Sequence, residues 1–398
     1  MAAAGGEVGL RTIQERSRPD PATYVGRGKL EELALACDEQ GIEFAVFDHE
    51  LSPSQQRQIE KLLRIRVIDR TQLILDIFAR RARTREGKWQ VELAQLKYLL
   101  PRLVGAGLEL SRLGGGIGTR GPGETKLETD RRRIRQRIAT IAASIEEVRQ
   151  RRSRLRERRQ KSDVPTVALV GYTNAGKTTL FNLLSREAAV VSDALFVTLD
   201  PLVRKVRLPD RRELLVSDTV GFIDRLPHTL VAAFRATLEE AREADLLLHV
   251  IDASAEDRPR RMAAVHTVLE EVGAASVPRI EVYNKADMVD PEERRRLEQA
   301  GPDVVVISAL HAQGQAELIA LVTARLGLDV ERVTLRVNPE SDAGRKGIAW
   351  IYRHGRVVRH ANARARTVID ADLSRRDAAA FRALWAGHPD VRLGRRHP

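Results

Sequence analysis

Residues 166–185, TVALVGYTNAGKTTLFNLLS, constrain the fold more than any other stretch of the chain. TVALV is an apolar, β-branched run of strand length, and KTTLFNLLS has the apolar spacing of a helix. Between them, Gly171-x-x-x-x-Gly176-Lys177-Thr178 forms a turn whose glycines let backbone N–H groups face inward at the start of the helix. A strand, turn and helix of this kind predict a doubly wound α/β domain of the P-loop type. The ligand that such a turn fits is a phosphate chain. Gly171, Tyr172, Thr173, Asn174, Ala175, Gly176, Lys177, Thr178 and Thr179 would cradle it, with Lys177 as a point charge on the outer phosphates and the Thr178 hydroxyl on Mg2+.

The motifs that complete such a site follow in order. RELLVSD ends at Asp218-Thr219-Val220-Gly221, which sets a carboxylate beside the metal and a glycine amide beside the last phosphate. LFVTLDP holds Phe196, Val197 and Thr198. The Thr198 hydroxyl would meet Mg2+ only while the terminal phosphate is present, making residues 189–203 a loop ordered by the triphosphate and released on its hydrolysis. After another strand, VYNKADM supplies Asn284, Lys285, Ala286 and Asp287, and ISAL brings Ser308, Ala309 and Leu310 over the base. A carboxylate at Asp287 accepts from the N1 and N2 donors of guanine, a pair that adenine lacks. The set predicts GTP as substrate, GDP as product, Mg2+ held by Thr178, Thr198 and Asp218, and a Ras-like P-loop GTPase domain. An ATPase or metabolic kinase would need an adenine-tolerant pocket, which Asn284 and Asp287 argue against.

The candidate catalytic residues are Lys177, Thr198, Gly221 and Asn174. Many small GTPases follow the Asp-x-x-Gly glycine with a water-orienting glutamine, and here that residue is Phe222. An apolar ring cannot orient water, so the intrinsic rate is expected to be slow, with the missing group supplied when residues 189–203 and 221–230 order on a partner. Asn174 resembles the asparagine of potassium-activated GTPases, whose carbonyl helps hold K+ beside the β and γ phosphates; the alternative is a loop asparagine capping a turn. His228 reads as a surface residue at a helix start rather than a general base.

At 398 residues the chain exceeds a single core and divides into four expected segments. Residues 1–70 read as a small α/β unit, with EFAVFD and RVID as strands and KLEELALACDEQG and SPSQQRQIEKLL as helices. Residues 71–162 read as a helical hairpin around a glycine-rich loop, 105–123, which holds eight glycines. Leu93, Leu96, Leu100 and Leu103 mark one helix, and Ile134, Ile138, Ile141, Ile145 and Val148 mark the other with a coiled-coil seam. Residues 163–328 form the GTPase domain, and 329–398 a small α/β or α+β domain. Within the loop, Gly116-x-Gly118-x-x-Gly121 fails as a dinucleotide fingerprint because no strand precedes it.

The net charge of +12 is unevenly divided: +11 over residues 1–162, −6 over 163–328 and +7 over 329–398. Residues 131–161 alone carry thirteen basic side chains against three acidic ones. Basic flanks around an acidic middle point to a polyanion, nucleic acid first, or to a chain that uses arginine on every solvated face. The single Cys37 fits a reducing compartment and reads as a small buried apolar residue. With no apolar run near the ~20 residues of a membrane span and no secretory signal, the expected location is the cytoplasm, without a membrane partner and as a monomer.

RPDPATYVGRGKLEEL, GGGIGTRGPGETKLETDRRRIR, GYTNAGKTTLFN, LFVTLDP, DTVGFIDRLPHTLVAAFRATLEE and NKAD together resemble the HflX family of ribosome-associated GTPases over about residues 8–328. The resemblance implies binding to the large ribosomal subunit and its rRNA through the N-terminal domain and hairpin, and splitting of stalled or stress-arrested ribosomes. The alternative is a GTP-dependent ribosome-assembly or tRNA-processing factor. The family has also been credited with ATP hydrolysis through its N-terminal domain, for which no site is visible in these residues. Family members usually carry a further strand and helix ahead of RPDPATY, where this chain has EVGLRTIQERS.

Overall fold

The computed structural model describes residues 2–103, 122–160, 164–185, 202–208, 213–222, 240–328, 330–363 and 366–395. Three sheets organise them. Near the N-terminus, β1 (Phe44–Phe47) and β2 (Arg66–Asp69) pair in parallel beside α1 (Arg27–Glu39) and α2 (Pro53–Leu63). Ser52 starts α2 with a full capping box, accepting from the Gln55 amide while the Gln55 side chain accepts from the Ser52 amide. Leu30, Leu51, Ile59, Leu63 and Val67 close this small core. Cys37 is buried within α1, where burial pushes its thiol up.

The helical stretch after Thr71 is two helices rather than one, α3 (Arg70–Arg81) and α4 (Arg85–Arg102), because Ala82–Thr84 breaks the chain and Thr84 caps the second. α5 (Pro122–Gln160) packs along α4, with Ile141 buried and Arg137 forking onto Glu92 at 2.7 and 2.9 Å. Pro122 and Gly123, expected in the glycine loop, belong to the first turn of α5, where proline's fixed φ suits a helix start. Loop residues 104–121 lie outside the described residues.

The central sheet has six strands in the order β4-β5-β3-β6-β7-β8, comprising β3 (Thr166–Val170), β4 (Leu202–Arg207), β5 (Glu213–Asp218), β6 (Leu246–Asp252), β7 (Arg279–Asn284) and β8 (Val304–Val306). All pairs are parallel except β4–β5. Helices α6 (Lys177–Ser185), α7 (Arg258–Glu271), α8 (Pro291–Glu298) and α9 (Gln315–Arg325) belong to this part of the chain. The inner strands are apolar on both faces, as a doubly covered parallel sheet requires. β4 corrects one expectation. Leu202 and Val203, read as part of a nucleotide-ordered loop, are strand residues paired with Asp218 and Ser217. Exposed Arg204, Lys205 and Arg207 charge this edge strand and discourage further pairing.

The C-terminal residues form an antiparallel sheet, β10-β11-β9-β12, from β9 (Val330–Val337), β10 (Arg356–Ala363), β11 (Arg366–Ser374) and β12 (Val391–Arg395), with α10 (Asp342–His354) and α11 (Arg375–Leu384). This is an α+β unit of the split βαβ type. Its last strand, VRLGR, is too short and polar to stand out in the sequence. No helix among the described residues is long and apolar enough to cross a membrane.

Candidate nucleotide site

The carboxyl ends of β3, β5, β6 and β7 gather the predicted motifs along one edge of the central sheet. Gly171 leaves β3 at φ 151°, where an added Cβ would collide with the Val250 carbonyl of neighbouring β6. Gly176, at φ 92°, leaves no room for a Cβ beside the Asn284 amide. Both glycines are thus required by close backbone approach as well as by dihedral angle. Asn174 sits at the loop tip, exposed and left-handed at φ 62°, a conformation that asparagine tolerates better than most residues.

At the phosphate end, Lys177 is buried and donates to the carbonyls of Gly171 (3.0 Å) and Tyr172 (2.8 Å). Burial depresses this ammonium to about 8, with the nearby Asp218 charge opposing the shift. Such a cation is short of anionic partners, the condition that favours capture of a phosphate oxygen. Thr178 donates from Oγ1 to Asp218 Oδ2 at 2.9 Å, so two hard oxygen donors already meet across the start of α6 and the end of β5. Thr219, fully buried, ties β5 to β3 through a 2.6 Å bond to the Leu169 carbonyl. A Cβ on Gly221 would lie 2.8 Å from Thr173 Cγ2 and 3.2 Å from Lys177 Nζ. The space that glycine leaves open is beside the lysine head. This donor set and this opening fit a Mg2+-bound phosphate chain, with Thr178 and Asp218 as the residues that could hold the ion. Phe196, Val197, Thr198 and His228 lie outside the described residues.

At the base end, Asn284 is the clasp between three loops. Its Nδ2 donates to the Ala175 carbonyl and its Oδ1 accepts from the Ala309 amide, both at 2.9 Å and both buried. Lys285 turns the chain at φ 64° and reaches Asp252 at 2.7 Å. Burial works to raise the Asp252 carboxyl, but the hydrogen bonds from Lys285 and Ser254 outweigh it and leave it below the usual range. Asp287 is exposed at the mouth, held low mainly by a hydrogen bond from Ser308, with His311 Nε2 3.9 Å away. Ser308 and Ala309 are buried, Ala286 packs under the loop, and Leu310 stands 73% exposed, so the chain presents an apolar lip there.

Three residues gain roles that the motifs did not convey. Asp252 orients Lys285; its signal was present, a carboxylate ending strand LLLHVID one position along the same sheet edge. Phe222 is buried in the core with Ala168, Val170 and Leu247, and its backbone pairs with Tyr172 and Thr173, so its ring points away from the phosphate opening. Val220 is buried among Ile74, Leu75 and Phe78 of α3 and Val91, Ala94 and Tyr98 of α4. A long-range packing partner of this kind leaves no local trace in the sequence.

Comparison with known proteins matches the N-terminal, helical and nucleotide-binding parts of the chain. The family described as GTP-binding GTPase N-terminal matches residues 1–79, the GTP-binding GTPase Middle Region matches 81–159, and the 50S ribosome-binding GTPase family matches 166–285. The GTPase HflX of Caldanaerobacter subterraneus subsp. tengcongensis is 54% identical over 287 residues, covering 72% of this chain and 67% of that one. The GTPase HflX of Escherichia coli is 50% identical over 343 residues, covering 85% of this chain and 80% of that one. Relatives this similar over 72% and 85% of its length show that the chain belongs to the HflX family of GTPases and is an enzyme that binds and hydrolyses GTP.

Proposed function

We propose that this GTPase binds the large ribosomal subunit and splits stalled or stress-arrested ribosomes in the cytoplasm, acting as a monomer. Packing of Val220 carries the reading. This residue belongs to the Asp-x-x-Gly turn beside the phosphate opening, yet it is buried against α3 and α4 at 5% exposure. A change at Gly221 on loss of the γ-phosphate therefore strains a contact with the helical segment that leads into the basic arm. Bistable packing of this sort converts a small displacement into a large one. The target follows from charge: residues 1–162 carry +11, which suits rRNA, and the matched 50S ribosome-binding family supports the same partner.

In this scheme the segments 1–70, 71–162, 163–328 and 329–398 are the working parts, and the Val220 contact couples the third to the second. Gly171 to Thr179 cradle the phosphates, Lys177 compensates charge on the outer two, Thr178 and Asp218 hold Mg2+ together with Thr198, and the Gly221 amide faces the γ-phosphate. Asn284, Lys285 and Asp287 select guanine under the Ser308–Leu310 lip. With the Phe222 ring turned into the core, ribosome contact supplies the water-orienting element and raises the rate. Asn174, at the loop tip, holds a K+ ion there; equal turnover in potassium and sodium buffers would remove that part.

The test is a sedimentation profile of intact ribosomes with the protein and a non-hydrolysable GTP analogue. Free subunits should rise, with the protein on the large one. Val220→Ala should keep GTP binding while losing splitting and ribosome stimulation of turnover. Association only with precursor particles or tRNA would overturn the reading in favour of an assembly or processing factor.

A further inference from the structure

We propose that His249, His266 and Glu281 form a second metal site, for Zn2+ or another divalent ion that prefers imidazole, on the face of the central sheet beside α7. His249 on β6 and Glu281 on β7 are register partners in a parallel ladder, so their side chains emerge side by side on one face. His266 comes from α7, its ring centroid 5.6 Å from that of His249 at an interplanar angle of 54°. One ligand atom from each residue lies within 4.8 Å of the other two. Neighbouring ligands around a tetrahedral ion with bonds of about 2.0–2.1 Å stand roughly 3.3 Å apart, so small side-chain rotations close the trio onto an ion.

The nitrogens are ready for one. His249 Nδ1 and His266 Nε2 are buried and lack a hydrogen-bond partner among the described residues. His249 itself is only 1% exposed, a place where an unmatched polar atom is costly unless something meets it. Burial above all, followed by the influence of His266, Arg279 and Lys177, holds its imidazole well below the usual histidine range. His266 is lowered in the same direction, again chiefly by burial. Glu281 supplies the carboxylate and accepts from the Tyr283 hydroxyl at 3.1 Å, the kind of outer contact that steadies a metal ligand.

Selectivity follows from the neighbours. Arg279 lies two residues before Glu281 on the same strand and acts on both histidines, which works against hard ions held by charge alone, such as Mg2+ or Ca2+. Two neutral imidazoles and one carboxylate, with a fourth position for water, suit zinc. His266 and Glu281 are only part-buried and provide the way in. The site is separate from the nucleotide's Mg2+, whose ligands sit on α6 and β5.

The experiment uses the full chain loaded with GDP and Mg2+, titrated with Zn2+ against a chromophoric chelator. The expected result is one Zn2+ per chain, with affinity about tenfold or more weaker in His266→Ala and in Glu281→Gln. Both substitutions fall at part-buried positions, and circular dichroism checks their folding. Co2+ in place of Zn2+ should show the visible d–d bands of a four-coordinate ion in the wild type and lose them in each variant. Zn2+ uptake by the wild type no greater than by the double variant H266A/E281Q, or no uptake at all, overturns the proposal.

Discussion

The two ends of the nucleotide site solve the problem of standing ready without a ligand in different ways. At the phosphate end the same groups serve structure and chemistry: Lys177 bonds its own loop carbonyls and Thr178 bonds Asp218, so a ligand must displace those contacts. At the base end the duties are divided. Asn284 is a buried clasp between two backbone groups, while Asp287 stands exposed with its carboxylate facing the mouth. The contrast teaches that burial alone does not mark a recognition residue, since the clasp is buried and the proposed reader is not.

Substitutions break or sharpen this division, and the phosphate end should respond most. Lys177→Ala removes a preorganised charge from a water-poor site and should lower single-turnover GTP hydrolysis by roughly 10²–10³-fold. The apo chain should lose little stability, because the Gly171 and Tyr172 carbonyls keep the Phe222 and Ala175 amides as donors. Asn284→Ala should do the reverse in kind. It strands the Ala175 carbonyl and the Ala309 amide, at about 1–3 kcal/mol for each buried group, and should lower apo stability in urea titrations as well as GTP affinity. Equal apo stability of this variant and wild type would end the clasp account.

Asp287→Ala should lose about 10- to 100-fold in GTP affinity, as expected for charge-assisted hydrogen bonds worth about 1.5–3 kcal/mol together. Preference over ATP should fall by the same factor in competition with labelled GTP, while apo stability changes by about 1 kcal/mol or less. The smallest effect belongs to His311→Ala. Its 3.9 Å contact with Asp287 is exposed and long, so GTP affinity should shift by less than about threefold. A larger loss would mean that His311 shares in reading the base.

Much of this was legible in the residues. Gly171, Gly176, Asp218 and Asn284 declare themselves because each stands at a fixed offset from an apolar run of strand length, and a phosphate turn tolerates little else at those places. The boundary between α3 and α4 was not legible, since residues compatible with a helix run on through Ala82–Thr84 without a glycine or proline to mark the break. β4 was missed as a partner of β5 because its alternation, LVRKVR, is short and its pairing lies with a strand several residues further on.

Local spacing settled the order of the elements, the chemistry of the loops and the choice of guanine, since these depend on residues within a dozen positions of one another. Only the packed chain decided that Val220 meets α3 and α4, that Phe222 turns inward, and that His249 stands beside Glu281 with His266 near them. Those outcomes depend on which faces of distant elements are brought together, and burial is a property of the finished assembly rather than of any stretch within it.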